Sequence, residues 1–302
     1  MAAITKDVES ATDILGLADA ACYAAKDKGR NQIHVYQPND EELKRKQGDM
    51  LWASQIRQAL KNDSFALYQQ LIIPVDSTAS LKNHYEILLR IPDEHGNLSS
   101  PAKYIGAAEL YGLMTNIDEW VVNNCFDWMI KNKDSMNDIE QISINLSGQS
   151  LSSKQFLNTL LESLQNKDLV CEKICFEITE TNIISNFESA IDFIYSLKSM
   201  GCKFSLDDFG SGMSSFSYLK TLDVDYLKID GSYVHNLANN PIDRAMVEAV
   251  NKIGHAMGIK TIAEYVEDKE ILQVLESIGV DYAQGEGIAF PSPLDELCNY
   301  SS

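Results

Sequence analysis

The sequence lacks any apolar run close to the roughly 18 residues that a membrane-crossing helix needs, and its first residues do not form a secretory signal. A cytoplasmic chain is expected, or the cytoplasmic part of a larger, membrane-anchored protein. Cationic side chains are scarce: 25 Lys and Arg stand against 44 Asp and Glu, a net charge of −19. That balance argues against DNA or RNA as a generic partner, and an anionic substrate would need locally placed cations. The six cysteines, Cys22, Cys125, Cys171, Cys175, Cys202 and Cys298, never form a CxxC pair, and most stand in apolar surroundings. Reduced structural thiols are expected, not a disulfide framework. No His or Cys is placed for zinc. His84 falls just before an expected strand, near the candidate site but without a ligand partner, and His255 reads as structural within an apolar helix. There is no literal sequence repeat.

What is present is a recurring pattern. The chain has 302 residues and 45% hydrophobic content, ordinary for a globular protein. Eight β-rich runs each end in a polar residue: 65–75, 85–91, 142–147, 174–181, 203–208, 225–230, 260–266 and 281–286. Between most of them the period is helical. Met246, Val247, Val250, Ile253 and Met257 mark one apolar face, and the helices of 189–201 and 268–279 both end in glycine, as a C-cap often does. The run "NIDEWVVNNCFDWMIKNK" predicts a further amphipathic helix. Alternating strands and helices predict an α/β fold, a (β/α)8 TIM-like barrel. Only about nine residues separate the first two strands, whereas a parallel crossover needs a dozen or more. These two should form a hairpin, leaving one barrel strand antiparallel. Residues 1–38 read as a separate short helix-strand fragment, 39–50 as a charged linker helix and 51–302 as the barrel.

Chemistry in such a barrel gathers at the C-terminal ends of the strands. The late polar residues there are Glu86, Asn145, Glu177, Asp207 with Asp208, Lys228, Glu264 and Gln284. Each has a plain structural explanation: Asn145 can satisfy a buried backbone group, Glu177 can pair with an arginine, Lys228 can reach solvent along its stem. The adjacent aspartates of "KFSLDDFGSG" can cap the following turn or share a cation. Side chains alternate along a regular strand, so the two should point apart unless the strand is broken. Together, five carboxylates and one amide oxygen suit a hard cation such as Mg²⁺ or Mn²⁺. Two such ions can clamp a phosphodiester and activate a water, with Lys228 stabilising the developing charge.

The motifs "YEILLR", "SINLS", "FEITET", "LDDFGSGMSSFSYL", "LKID", "TIAEYVE" and "QGEGIAFPSP" follow in the order and spacing of the EAL-domain cyclic-di-GMP phosphodiesterases, which the chain resembles from Trp52 to about Leu297. The resemblance implies a barrel with one antiparallel strand. It also implies hydrolysis of cyclic di-GMP to linear pGpG with two Mg²⁺ or Mn²⁺, Ca²⁺ being inhibitory. On that likeness Glu86, Asn145, Glu177 and Asp207 hold one ion, and Asp207 and Asp208 hold the second, with Glu264 near it. Lys228 orients the water, and Glu264 is the other candidate for activating it. Glu267 supports the site. Gln284 binds water or ligand, and Gln70, Leu88 and Arg90 contact the dinucleotide, Arg90 at a phosphate. Glu180 anchors the loop after Asp208, which in the family links homodimer contacts to activity. Three residues depart from the pattern: Leu71 where proline is usual, Glu286 where an aromatic follows "QG", and Met213 in place of a frequent tyrosine.

The segment "LADAACYAAKDKGRNQIHVY" resembles the C-terminal end of a GGDEF diguanylate-cyclase domain, without its catalytic loop. A piece of a longer tandem protein with upstream GGDEF or sensory domains is expected, itself unable to make the dinucleotide. Two rival readings remain beside an active phosphodiesterase. One is a catalytically weak or inactive cyclic-di-GMP sensor. The other is a scaffolding barrel that binds no ligand.

Overall fold

The computed structural model describes residues 41–76, 83–92, 97–210 and 218–300. The cyclase-like fragment expected over 1–38 lies outside them, as does Met213. Helix α1, Glu41–Asn62, is continuous across position 50, where the linker was expected to end. Ala53, Ile56 and Ala59 on it are buried.

All eight expected strands form. They are β1 Ala66–Pro74, β2 Asn83–Pro92, β4 Ile139–Asn145, β5 Ile174–Thr179, β6 Lys203–Phe209, β7 Tyr226–Ile229, β8 Lys260–Ala263 and β9 Tyr282–Gln284. Two short strands, β3 Leu98–Ser99 and β10 Ser292–Pro293, extend the sheet beyond them. The order β1-β9-β8-β7-β6-β5-β4-β2 closes through pairing of β1 with β2, so the sheet is a mixed α/β barrel. β1 runs antiparallel to both neighbours, β2 and β9, and the pairings from β2 round to β9 are parallel. The connection of residues 75–82 has this outcome because so few residues cannot carry a helix across the barrel face.

Outward-facing strand residues pack under the helices. Ile142, Ile144, Phe176, Ile178, Phe204 and Leu206 are all buried, with Phe176 and Phe204 rings 5.8 Å apart. Over them lie α3 (Met114–Lys131), α5 (Lys154–Asn166), α7 (Phe187–Lys198), α9 (Pro241–Ala256) and α10 (Lys269–Ile278), with α2 (Ile105–Leu110) and the single turns α4 (Gly148–Leu151), α6 (Glu180–Ser185) and α8 (Gly231–Val234) in the connections. The glycine expected to end α10 does so: Gly279 takes φ +81 and its N–H bonds to Leu275 O. On α9 the buried stripe is Val247, Val250, Asn251 and Gly254, while Met246, Ile253 and Met257 are only partly buried.

Inside the barrel the strands' inward residues stack in layers. A lower layer contains Ile72, His84, Ser143, Cys175, Ser205, Tyr226, Ile262 and Tyr282, one from each barrel strand. His84 belongs to this buried layer, not to the mouth, and its Nε2 meets Ser143 Oγ at 2.9 Å. Burial first, and then the Lys228 charge above it, lower its pKa to about 3, so it is neutral. Cys125, Cys171, Cys175 and Cys202 are free thiols, as expected.

Backbone closeness at one glycine ties the last strand to the preceding loop. A side chain at Gly285 would run into the backbone of Val266, whose N–H bonds to Gln284 O at 2.9 Å. We predict that Gly285→Ala destabilises the barrel by about 1–3 kcal/mol, the cost of overpacking against an immovable backbone. Denaturant midpoints would measure it, and an unchanged midpoint would contradict this account of the contact.

Candidate active site at the barrel mouth

The layer above is polar throughout. Every barrel strand delivers one residue to it, from within the strand or just past its end: Gln70, Glu86, Asn145, Glu177, Asp207, Lys228, Glu264 and Gln284. At its centre is the Lys228 amine, 1% exposed, with Glu177 at 2.8 Å, Glu264 at 2.8 Å, Asp207 at 3.2 Å and Glu86 at 3.3 Å. Two of the plain readings therefore fail. Lys228 does not reach solvent, and Glu177 pairs with this lysine instead of an arginine.

The electrostatics follow from too many carboxylates around one cation. Burial alone would lower the Lys228 pKa, but Asp207, Glu177, Glu264 and Glu86 together hold it well above the ordinary lysine value. The carboxylates divide. Against the cost of burial, the Lys228 charge and hydrogen bonds from Gln284 and Asn145 keep Glu86 below its usual range. Burial lifts Glu177 to about 8, with the Glu86 and Asp207 charges adding to it against the pull of Lys228. Burial and the Asp207 charge push Glu264 well up. Amides tie the ring together. Asn145 Nδ2 donates to Glu86 Oε1 at 2.7 Å, and Gln284 Nε2 donates to Glu86 Oε2 at 2.6 Å and Gln70 Oε1 at 3.0 Å.

The two aspartates meet because the strand breaks. The β6–β7 register shifts between Leu206 and Phe209, and Asp208 takes φ +55, the left-handed region that only a minority of non-glycine residues enter. Its carboxylate is thereby brought to Asp207 and Glu264, and one oxygen from each of the three lies within 4.8 Å of the others. Partial desolvation and then the Asp207 charge raise Asp208 to about 6. The donor set fits a hard cation: it is all oxygen, and Glu177 Oε1 and Gln284 Oε1 are buried with no hydrogen-bond partner.

A cleft of about 670 Å³ opens from this cluster, lined by Gln70, Leu88, Arg90, Asp207, Asp208, Glu264 and Gln284 among others. The Arg90 guanidinium lies over the Tyr68 ring at 5.3 Å and donates to Leu89 O. No carboxylate among the described residues pairs with it. Gln70 Nε2 donates to Ala289 O at 2.9 Å, fixing the loop on the far side. Glu180, buried at the start of α6, accepts from Gly210 N at 3.2 Å and from the Tyr218 hydroxyl, so it holds both flanks of 211–217. Glu267 borders the cleft, and its carboxylate pairs with His235 at 2.9 Å. The chain turns away after Glu264 through the left-handed Tyr265.

With this geometry the relatives can be placed. A profile of the EAL domain matches residues 53–291. The chain belongs to the EAL-domain family. Over 96% of its length this EAL chain is 42% identical to the cyclic di-GMP phosphodiesterase PdeB of Shewanella oneidensis, covering 34% of that protein. Over 79% it is 39% identical to the cyclic di-GMP phosphodiesterase PdeA of Borreliella burgdorferi, covering 35% of it. It thus spans about a third of the length of these curated relatives. The solved complex of the PaMucR phosphodiesterase with c-di-GMP superposes with a TM-score of 0.76 at 28% identity, covering 82% of this chain and 99% of that one.

Two residues of this EAL site escaped the sequence reading. Asp118, on α3, is buried and accepts from Ser147 N at 2.9 Å and from the Ser147 and Ser150 hydroxyls at 2.6 Å each. It fastens the turn that follows Asn145. A carboxylate between Ile117 and Val121 on an apolar helix face is the signal that marks it. The other is Tyr265, whose backbone conformation leaves no trace in the sequence.

Because the metal-free ring keeps Glu177 and Glu264 protonated above the ordinary carboxylate range, a divalent cation must displace protons. Calorimetry of Mn²⁺ binding near pH 7, in buffers of different ionisation enthalpy, should show release of about one proton or more. A heat independent of buffer would contradict the raised pKa values. The sign for folding is opposite to that of an ordinary paired carboxylate. A raised pKa makes the folded state bind more protons, so metal-free stability falls as pH rises from about 4.5 towards 8.

Proposed function

We propose that this chain hydrolyses cyclic di-GMP to linear pGpG in a reaction that depends on two Mg²⁺ or Mn²⁺ ions. The observation that carries the reading is the buried Lys228 amine ringed by Glu86, Glu177, Asp207 and Glu264, beside the Asp207–Asp208–Glu264 oxygen cluster, at the floor of a cleft that also holds Arg90. Cations bound there would supply Lewis acidity to the phosphodiester and acidity to a water. Glu86, Asn145, Glu177 and Asp207 are suited to hold one ion, and Asp207, Asp208 and Glu264 to hold the other.

The protein's own groups do the rest. Arg90, which pairs with no carboxylate among the described residues, binds a phosphate of the dinucleotide, and Leu88 packs under it. Gln70 and Gln284 are joined by a hydrogen bond, which fixes an amide surface toward ligand or water. Lys228 stays charged throughout and favours the extra negative charge of the transition state over the ground state. Glu264, in its ionised form, is the carboxylate placed at the oxygen cluster to take a proton from the attacking water. Glu180 couples residues 211–217 to the end of β5, and a homodimer using that region belongs to the same proposal. So do an upstream GGDEF-like segment over 1–38 and sensory domains in the full-length protein.

Two outcomes test this reading. Activity on cyclic di-GMP should be lost in EDTA, restored by Mg²⁺ or Mn²⁺ and suppressed by Ca²⁺, whose longer bonds and looser coordination misplace the water. Binding without any pGpG production would instead establish the sensor reading. Lys228→Met, which keeps the stem's volume, should lower kcat at saturating Mn²⁺ by about two orders of magnitude, comparable to losing an oxyanion donor. The same variant should bind cyclic di-GMP in Ca²⁺ nearly as the parent does. A parental kcat with weakened binding would reject the catalytic role of the amine.

A further inference from the structure

Tyr265 is the residue of the mouth that the proposed reaction leaves unused. It follows Glu264 directly, and its backbone sits at φ +53. A bulky side chain in the left-handed region is strained, and such strain persists where the surroundings over-determine it and concentrates at functional sites. Glycine would occupy this conformation freely. The side chain is also 65% exposed, so core packing does not explain why a large aromatic stands there. Yet the ring is not loose. It lies against Gly231, the first residue of α8, so closely that a Cβ on Gly231 would overlap the ring at Cδ2. One part of the ring is thus seated on bare backbone, and the rest borders the cleft.

The position in the barrel matters. The apolar lining of the cleft, Pro101, Tyr104, Met114 and Ile117, comes from the connections after β2. Tyr265 comes from the end of β8, three strands further round, past β1 and β9. Between these walls lie Arg90 and the carboxylate cluster. A ligand with two bases joined by two phosphates presents a flat face on each side of its charged centre. The β2 side offers such a face an apolar bed, and the β8 side offers it Tyr265.

We propose that Tyr265 is a base-stacking wall, a ligand-binding residue that holds one guanine of the cyclic dinucleotide on the β8 side of the cleft, with Gly231 as its seat. The inference rests on the cyclic-di-GMP reading above. Every base has a π-face, so the wall contributes affinity, and the phosphate and metal contacts supply turnover.

The test is cyclic di-GMP affinity, measured by calorimetry in Ca²⁺, together with KM and kcat in Mn²⁺. Tyr265→Leu should weaken binding and raise KM by roughly tenfold to a hundredfold with kcat little changed. Tyr265→Phe should behave as the parent. Tyr265→Gly, which removes the ring and frees the backbone, should lose the same affinity with no fall in Tm. Gly231→Ala should lower affinity by displacing the ring, and should add nothing further in the Tyr265→Gly background. A dinucleotide carrying 2-aminopurine in place of one guanine should be quenched on binding the parent and the Phe variant, and less so with Leu. Parental binding with an unchanged Leu variant overturns the stacking role and leaves the phosphodiesterase reading standing. Equal losses of Tm in the Leu and Gly variants with intact affinity mark the ring as packing and overturn it too. No binding of cyclic di-GMP by the parent protein overturns both.

Discussion

One ammonium group inside a ring of carboxylates is the constraint on which the mouth of this barrel depends. Four carboxylates lie within 3.3 Å of the Lys228 amine, nearly all of it removed from water. A buried ion pair is a poor source of stability, because desolvation costs about as much as the attraction returns. Here the imbalance is larger, since a single cation serves several anions. The result is a site with an electrostatic deficit that a divalent cation is suited to fill. The Lys228 charge and the amides of Gln284 and Asn145 hold Glu86 in its ionised form while Glu177 and Glu264 are driven toward protonation.

Backbone distortion completes what the strands begin. A regular β6 would send Asp207 and Asp208 to opposite faces. The register shift and the left-handed Asp208 bring both carboxylates to the same side, and a second left-handed residue, Tyr265, stands at the equivalent point after β8. The two strained residues flank the same oxygen cluster. Two of the three left-handed non-glycine residues among the described residues thus adjoin the crowded carboxylates and the buried lysine, while in the layer below Ile72, Cys175, Tyr226, Ile262 and Tyr282 pack as one apolar cluster.

Much of this was legible in the sequence. The eight strands, the reversed first strand and the ring of strand-end polar residues follow from periodicity, from a connection too short to cross over, and from where polar residues interrupt apolar runs. What was not legible depends on backbone angles or on tertiary partners. The proximity of Asp208 to Asp207 needs a positive φ that no residue type there announces. Glu267 borders the cleft, and its pairing with His235 joins residues that nothing in the sequence links. His84 sits two residues before Glu86 and so shares its face, but one layer deeper. The long α1 carries the charge of a linker, yet its second half carries buried alanines and Ile56.

The ring has a consequence for how the molecule is made. Its members are spread along nearly the whole barrel sequence, and the hydrogen bond between Gln284 and Glu86 joins residues 198 positions apart. Contacts of such separation form late, after the loop entropy of the intervening chain has been spent. Until β9 docks beside β1 the ring lacks Gln284, and Glu86 and Gln70 lack the hydrogen bonds that it gives them. The carboxylate that the mouth keeps ionised is therefore fully fastened only once the barrel has closed.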